Sequence, residues 1–233
     1  MTDWITQHLS LSVEWPAGAR PPAWNLARTR DMAKALAQVH PLFAELSPRG
    51  RGGSFETMEA MPLVDDLTVE QWLDLARLHG RRSDADPGTT IVFWNRRRAE
   101  GEAQLVEIHY DQPGGPAHPR LPRRPNEIRF PALPPQMQAR DTLLSLIGAC
   151  IDAFDAHRAD VAWLMQAPVR PMEPARSTLA YRLLWLGEGV AFPEDAEARY
   201  RYPADHPEPE GSDPWRGGIL YRWPDADLEA SVR

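Results

Sequence analysis

Three runs in the middle of the chain show the clearest pattern of hydrophobic and polar positions. Residues 89–95 (T-T-I-V-F-W-N) are nearly all β-branched or aromatic, which is typical of a strand buried on both faces. Residues 103–110 (A-Q-L-V-E-I-H-Y) alternate, and in residues 125–134 Ile128 and Phe130 share one face while charged residues occupy the other. Side chains of a strand point alternately to its two faces, so these runs predict part of a mostly antiparallel sheet.

Apolar residues at three- and four-residue steps predict helices on either side of these strands. The first helix is expected to start at Asn25, an N-cap residue type, and to kink or end at His40, because Pro41 cannot continue a regular helix. Thr68 with Gln71 three positions later forms a capping box, which predicts the start of a second helix. A third helix is expected over residues 138–155.

The third helix has the strongest apolar face, which includes Leu143, Ile147, Cys150 and Phe154. Gly148 lies within this pattern and predicts close packing of the helix against the sheet. Cys150 is the only cysteine of the chain, so it forms no internal disulfide. We expect it to be a small core residue in a reducing compartment rather than a reactive thiol.

The remaining segments complete a single predicted fold. Further strands are predicted at residues 8–15, 161–165, 179–186 and 218–223, and a short helix near Pro224. No repeat or domain boundary is visible, so residues 1–233 are expected to form a single α+β domain. Its mostly antiparallel sheet should carry the helices packed on one face, with the Pro-rich segment 188–215 as a large loop.

Composition narrows the class of protein. With 233 residues the chain is long enough for one sizeable core, and its hydrophobic content of 42% is ordinary for a globular protein. It contains no apolar run of about 18 residues, so we expect no membrane-spanning helix and no membrane partner. The N-terminal sequence M-T-D-W-I-T-Q-H lacks the basic and apolar regions of a secretion signal, so a cytoplasmic protein is expected.

Charge is distributed unevenly along the chain, whose formal net charge is −7. Residues 1–150 carry 18 acidic and 17 basic side chains, whereas residues 151–233 carry 15 acidic and nine basic ones. Most of the excess lies in residues 188–213, where eight acidic residues face two arginines. Such a segment repels nucleic acid and attracts a basic partner, so we expect no direct nucleic-acid binding. A solvated loop that aids solubility is the alternative.

Trp215, in the run D-P-W-R-G-G, is flanked by turn-forming residues and by acidic sequence. Exposed tryptophans often carry binding energy at interfaces, so we expect it to contact a partner; a cap over the sheet edge is the alternative. The candidate partner-binding residues are Glu188, Glu194, Asp195, Glu197, Asp205, Glu208, Glu210, Asp213 and Trp215.

Two groups contain residue types that ligate metals. His109 and Asp111 share a strand face, with His118 in the loop beyond, but no third ligand follows at a suitable spacing. The other group is Asp152, Asp155, His157 and Asp160. A solvated helix terminus explains these residues better than a metal site does. No phosphate-binding, dinucleotide-binding or hydrolase motif occurs, so we expect no cofactor, no metal and no catalytic residue.

The order and spacing of several segments carry a resemblance to a known family. They are the V-H-P-L-F-A-E-L run, the F-W-N strand, the P-N-E-I-R-F-P-A-L-P strand with its following helix, and the D-A-H-R-A-D-V-A-W-L run. Over residues 9–165 the chain resembles the immunity protein 52 family of bacterial polymorphic-toxin and type VI secretion effector–immunity systems. The resemblance implies a cytoplasmic protein that neutralises a nuclease-type toxin, often one with a restriction-endonuclease-like domain. The C-terminal third departs from the family pattern.

Two classes of function therefore compete. The first is an immunity protein that binds a cognate secreted toxin and inhibits it stoichiometrically without being an enzyme. The second is a metal-dependent hydrolase that uses one of the two ligand-type groups. An adaptor or chaperone for a secreted effector would share the binding physics of the first class, and self-association of the free protein stays open.

Overall fold

The computed structural model shows one sheet with helices on one of its faces. It describes residues 5–49, 61–79, 89–97, 104–112, 125–166, 177–192 and 209–223. The strands are β1 (Ile5–Trp15), β2 (Ser47–Pro48), β3 (Thr89–Trp94), β4 (Glu107–Gln112), β5 (Asn126–Phe130), β6 (Arg158–Gln166), β7 (Ser177–Gly187), β8 (Gly211–Trp215) and β9 (Gly218–Arg222). Their order is β2-β3-β4-β5-β1-β6-β7-β9-β8, and every neighbouring pair is antiparallel.

Three α-helices lie in the described part of the chain, and they cover one face of the sheet. They are α1 (Pro22–Val39), α2 (Val69–His79) and α3 (Arg140–Phe154). Helix α2 packs on β3, α3 packs on β1 and β6, and α1 packs on both of these helices. The predicted α+β fold with an antiparallel sheet and helices on one face is confirmed.

The alternation of buried and half-buried residues along β1 explains how the main core forms. Leu9, Leu11 and Val13 are fully buried against the helices, and the residues between them point to the other face and are half-buried. The rings of Trp15 and Phe154 stack at a centroid distance of 4.5 Å, which fixes the end of α3 on β1.

The capping predictions have different outcomes. The predicted capping box is confirmed, since Thr68 N–H donates to Gln71 Oε1 at 2.8 Å and Gln71 N–H donates to Thr68 Oγ1 at 3.2 Å. The prediction that Asn25 caps α1 is wrong, because the helix begins earlier, at Pro22. Proline suits this first position because its fixed φ is helical and its missing N–H would have no partner there. Asn25 is instead buried, and its Nδ2 donates to Gln112 Oε1 at 2.8 Å.

The face opposite the helices has a second, smaller core near β7. Leu184 and Leu186 point to this face, whereas Leu183 and Trp185, which alternate with them along β7, join the main core. The small core is completed by Ala162, Tyr181 and Trp223. The sheet therefore has apolar contacts on both faces at the end where β7, β9 and β8 lie.

The segment 188–215, expected as a large loop, ends in a strand. Strand β8 occupies Gly211–Trp215 and pairs with β9, so these five residues do not belong to a loop. The helix expected near Pro224 lies outside the described residues.

Candidate protein-binding groove

A two-residue turn joins β8 to β9 and forms part of the candidate site. Trp215 pairs with Gly218, and the intervening Arg216 and Gly217 have φ angles of 48° and 70°. Positive φ at both positions defines a type I′ turn, whose twist matches that of the two strands. Glycine adopts this conformation without cost, whereas an arginine there requires other contacts to hold it.

Arg216 has such contacts, and they tie the turn to α3. Its guanidinium forms an ion pair with Asp152 and lies 5.2 Å from the centre of the Trp215 ring. It also lies against Gly148, where a Cβ atom would come within 2.9 Å of Cζ. Close packing at Gly148 was expected, but it involves this side chain of the β8–β9 turn.

Trp215 joins the turn to β7. Its carbonyl oxygen accepts a hydrogen bond from Trp185 Nε1 at 2.8 Å, and its half-buried ring packs partly against the main core. Gly218 allows this approach, because a Cβ there would collide with the Leu186 carbonyl oxygen and lie 2.7 Å from Trp185 Nε1. The three strands are thereby held closely together.

An open groove of about 570 Å³ lies at this end of the sheet. One wall is the end of β7 with the turn that follows, residues 186–190, and the other is the β8–β9 turn with its flanks, residues 214–219. Tyr221 also lines the space. We call this space the hairpin groove.

Exposed apolar side chains collect at the hairpin groove. Among the described residues, the large hydrophobic side chains that are classed as exposed are Phe192 (37%) and Ile219 (38%). Ile219 lines the groove, and the ring of Phe192 packs edge-on against Tyr221 at a centroid distance of 4.9 Å. Neither residue was predicted to bind a partner; for Ile219, the apolar pattern of residues 218–223 suits a covered strand and an open one equally.

The predicted binding residues are brought together only in part. Glu188 and Trp215 both line the hairpin groove, and Glu188 is exposed. Glu210 is exposed just before β8, and Asp213 on β8 forms an ion pair with Arg222. The other five predicted residues lie outside the described residues: Glu194, Asp195, Glu197, Asp205 and Glu208.

His109 and Asp111 lie on the same face of β4, as predicted, but each contacts a nearby side chain. Asp111 Oδ1 accepts a hydrogen bond from Thr90 Oγ1 at 2.5 Å, and His109 Nε2 lies 4.0 Å from Glu107 Oε2. Within the described ranges, no three His, Cys, Asp or Glu side chains are placed to hold a metal ion. His118 is outside those ranges.

The group near the end of α3 is dispersed. Asp152 forms its ion pair with Arg216, while Asp155 lies 3.8 Å from Arg28. Burial lowers the pKa of His157, and the adjacent Arg158 lowers it further. These residues therefore belong to separate contacts and do not converge on a single point.

Asp160, the last member of that group, is buried on the sheet face opposite the helices. Only 5% of the residue is exposed, and its Oδ2 lies 3.5 Å from Arg158 Nη2. Burial raises the pKa of Asp160 to about 7; nearby Glu14 and Glu127 raise it too, whereas Arg158 opposes the shift. A carboxyl group that titrates near neutral pH is thus part of the sheet.

Cys150 is fully buried in α3, and burial raises the pKa of its thiol. Its thiolate is therefore scarce at neutral pH, and the prediction that it is a core residue is confirmed.

Comparison with known proteins gives a distant structural similarity. No protein-family model and no curated protein matches the chain, so membership of the immunity protein 52 family stays a prediction. Among solved structures, the chain is similar to the Pseudomonas aeruginosa T6SS protein PA0821, with a TM-score of 0.46 and 12% sequence identity. The similarity covers 97% of this chain and 72% of that chain. None of the described helices has the length and apolar character needed to cross a bilayer.

Proposed function

We propose that this protein is an immunity protein, which binds a cognate secreted antibacterial toxin and inhibits it stoichiometrically. The observation that carries this proposal is the hairpin groove. It joins an aromatic residue, Trp215, to an exposed carboxylate, Glu188, and lies at the end of the sheet where the acidic segment begins and ends. Aromatic side chains surrounded by charged ones are typical of protein interfaces.

Charge supports a nuclease as the toxin. A nuclease must present Lys and Arg side chains to the phosphates of its substrate, so an acidic protein is attracted to the same surface. Complementary charge raises the rate of encounter and disfavours unsuitable partners. The resemblance over residues 9–165 supports the same kind of partner, a nuclease with a restriction-endonuclease-like domain.

The proposed mechanism requires no catalysis by this chain. The acidic segment captures the toxin electrostatically, and a few anchoring side chains are then buried in the complex. Inhibition follows when the bound protein covers either the active cleft of the toxin or a surface that the toxin needs for assembly.

The decisive experiment is co-expression of the active toxin with this protein in sensitive cells. The toxin is first identified by pulling down the tagged protein from its native lysate and identifying what co-purifies. Recovery in equal amounts, loss of nuclease activity in the complex and survival of the co-expressing cells would support the proposal. Survival separates an immunity protein from an adaptor or chaperone, which binds the effector without protecting the cell. A stoichiometric metal in the purified protein, with no protection, would favour the hydrolase instead.

A further inference from the structure

The apolar residues of the hairpin groove form a concave surface that a partner side chain can enter. Ile219 lines the groove and is more than a third exposed. Phe192 beside the groove is also more than a third exposed, and its ring packs against Tyr221, which lines the groove. Single exposed apolar residues are common on protein surfaces, but several around one concavity are typical of binding sites. The groove, at about 570 Å³, falls within the range of about 300–1,000 Å³ that is usual for sites that take small ligands.

The outer edge of β8, with which no strand of the described residues pairs, is poorly suited to pairing with an added strand. The N–H of Trp223 donates to the Arg182 carbonyl oxygen on β7. Counting back from Trp223, the backbone N–H and C=O groups of every second residue therefore point to β7, and those of the residues between them point to β8. In β8 the same alternation turns the backbone groups of Ser212 and Pro214 outward. Proline has no N–H, so Ser212 supplies the only outward N–H donor of β8. Recognition at this end should therefore depend on side chains.

The charge at the groove that remains available to a partner is negative. The two arginines of the β8–β9 hairpin are already paired, Arg216 with Asp152 and Arg222 with Asp213. Glu188 is exposed beside the groove, and no cation within the described part of the chain lies at ion-pair distance from it. A cationic side chain of a partner would therefore be attracted to Glu188.

We infer that the hairpin groove binds a short basic segment of the toxin. One apolar side chain of that segment packs against Ile219 in the groove, and an adjacent Lys or Arg pairs with Glu188. This inference rests on the proposed function and specifies which chemistry of the partner the site recognises. The apolar contact supplies most of the affinity, because burial of an anchor outweighs a solvent-exposed ion pair.

The test measures the affinity of variants for the purified toxin by calorimetry, together with protection of cells on co-expression. Ile219→Ser should weaken binding about tenfold or more, mainly through faster dissociation. Ile219→Thr, which keeps the β-branched shape suited to a strand, should weaken it in the same direction. Glu188→Gln should weaken binding about two- to threefold at low salt, and the difference should vanish at high salt.

Glu45→Gln is the matched control for Glu188→Gln. Glu45 is also exposed, but it lies beside β2 at the opposite end of the sheet, so its substitution should leave affinity unchanged. Normal affinity of both Ile219 variants, in a protein that protects cells, would overturn the inference and leave the proposed function standing. Failure of the wild-type protein to bind or protect would overturn the proposed function itself.

Two further outcomes also decide the inference. If the wild-type protein is a dimer that Ile219→Ser converts to a monomer, the groove binds a second copy of this chain and the inference is wrong. Restoration of binding by Glu188→Lys together with a Lys→Glu or Arg→Glu change in the toxin would identify the paired cation and support it.

Discussion

The guanidinium of Arg216 lies against Gly148, in space that is available only because position 148 has no side chain. This relationship connects the β8–β9 turn to α3 across the edge of the sheet. Arg216 has a positive φ, which an arginine adopts at a cost, so its ion pair with Asp152 and its contact with Trp215 help to hold the turn.

Gly148→Ala should loosen the β8–β9 turn while leaving the rest of the fold intact. The added Cβ displaces the end of a flexible side chain, and alanine also favours the helix by about 1 kcal/mol over glycine. Hydrogen exchange should become faster at Arg216, Gly217 and Gly218, with little change in the melting temperature. Ser145→Ala, at an exposed position of the same helix, is the control and should change neither quantity. Unchanged exchange at the turn would show that the contact does not support it.

Gly218→Ala should destabilise the protein by about 2 kcal/mol or more, because the new methyl group collides with backbone that cannot move aside cheaply. Its Cβ would meet the Leu186 carbonyl oxygen and the Trp185 indole. Urea unfolding of the variant and the wild type measures this loss of stability. The matched control is Gly211→Ala in β8, where the nearest atom is the end of Arg222 at 4.0 Å. Equal stability of the two variants would contradict the close approach of β9 to β7.

Asp160→Asn should remove a pH dependence of stability. Folding raises the pKa of Asp160 from 3.8 to about 7, so the folded state holds this proton more tightly than the unfolded state does. The resulting stability is fully present below pH 3.8 and is lost as the pH rises through about 7. A shift of this size corresponds to a few kcal/mol, at about 1.4 kcal/mol per pKa unit.

Urea unfolding of the wild type and of Asp160→Asn at pH 5 and pH 8 checks this prediction. Asparagine stays neutral, so the variant should lose much less stability than the wild type between the two pH values, and should be the more stable protein at pH 8. Asp65→Asn, at an exposed position, should keep the wild-type dependence. An equal loss of stability between pH 5 and pH 8 in the wild type and in Asp160→Asn would show that another group causes the pH dependence.

Charge reversal in the acidic segment should slow capture of the toxin. Changing Glu194, Asp195 and Glu197 to Lys removes attraction for a basic partner, so the association rate at low salt should fall about tenfold. Stopped-flow measurements of the association rate at several salt concentrations check this. The free energy of unfolding should change little. The same change at Glu45, Asp65 and Asp66, away from this segment, is the control. An unchanged association rate at low salt would exclude the segment as the steering surface.

Local patterns predicted most of the elements but not their order in the sheet. The alternation of β1 and the capping box at Thr68 involve neighbours in sequence, so residue types alone indicate them. The position of β1 between β5 and β6 depends on which distant strands pair, and no local pattern encodes that choice. The start of α1 at Pro22 was missed because Asn25 has the residue type of a cap but a buried role.

The candidate site was predicted only in part, for two physical reasons. Strand β8 contains Gly211 and Pro214, which favour turns, and Pro214 is tolerated because its missing N–H would point to the free edge of the sheet. Ile219 belongs to a strand with an ordinary apolar pattern, and it is exposed because no element in the described part of the chain covers it. Glu188 and Trp215 were selected from charge and turn context, and the fold places them at one groove.

The central position of β1 also determines when this protein can fold during its synthesis. Ser10 Oγ in β1 donates to the carbonyl oxygen of Ala162 in β6, a residue 152 positions later in the chain. Strand β1 therefore waits, unpaired on this side, until β6 has emerged from the ribosome. Contacts so distant in sequence are slow to form, and an unpaired apolar strand is prone to aggregate. The yield of folded protein should accordingly depend on chaperones that hold the nascent chain.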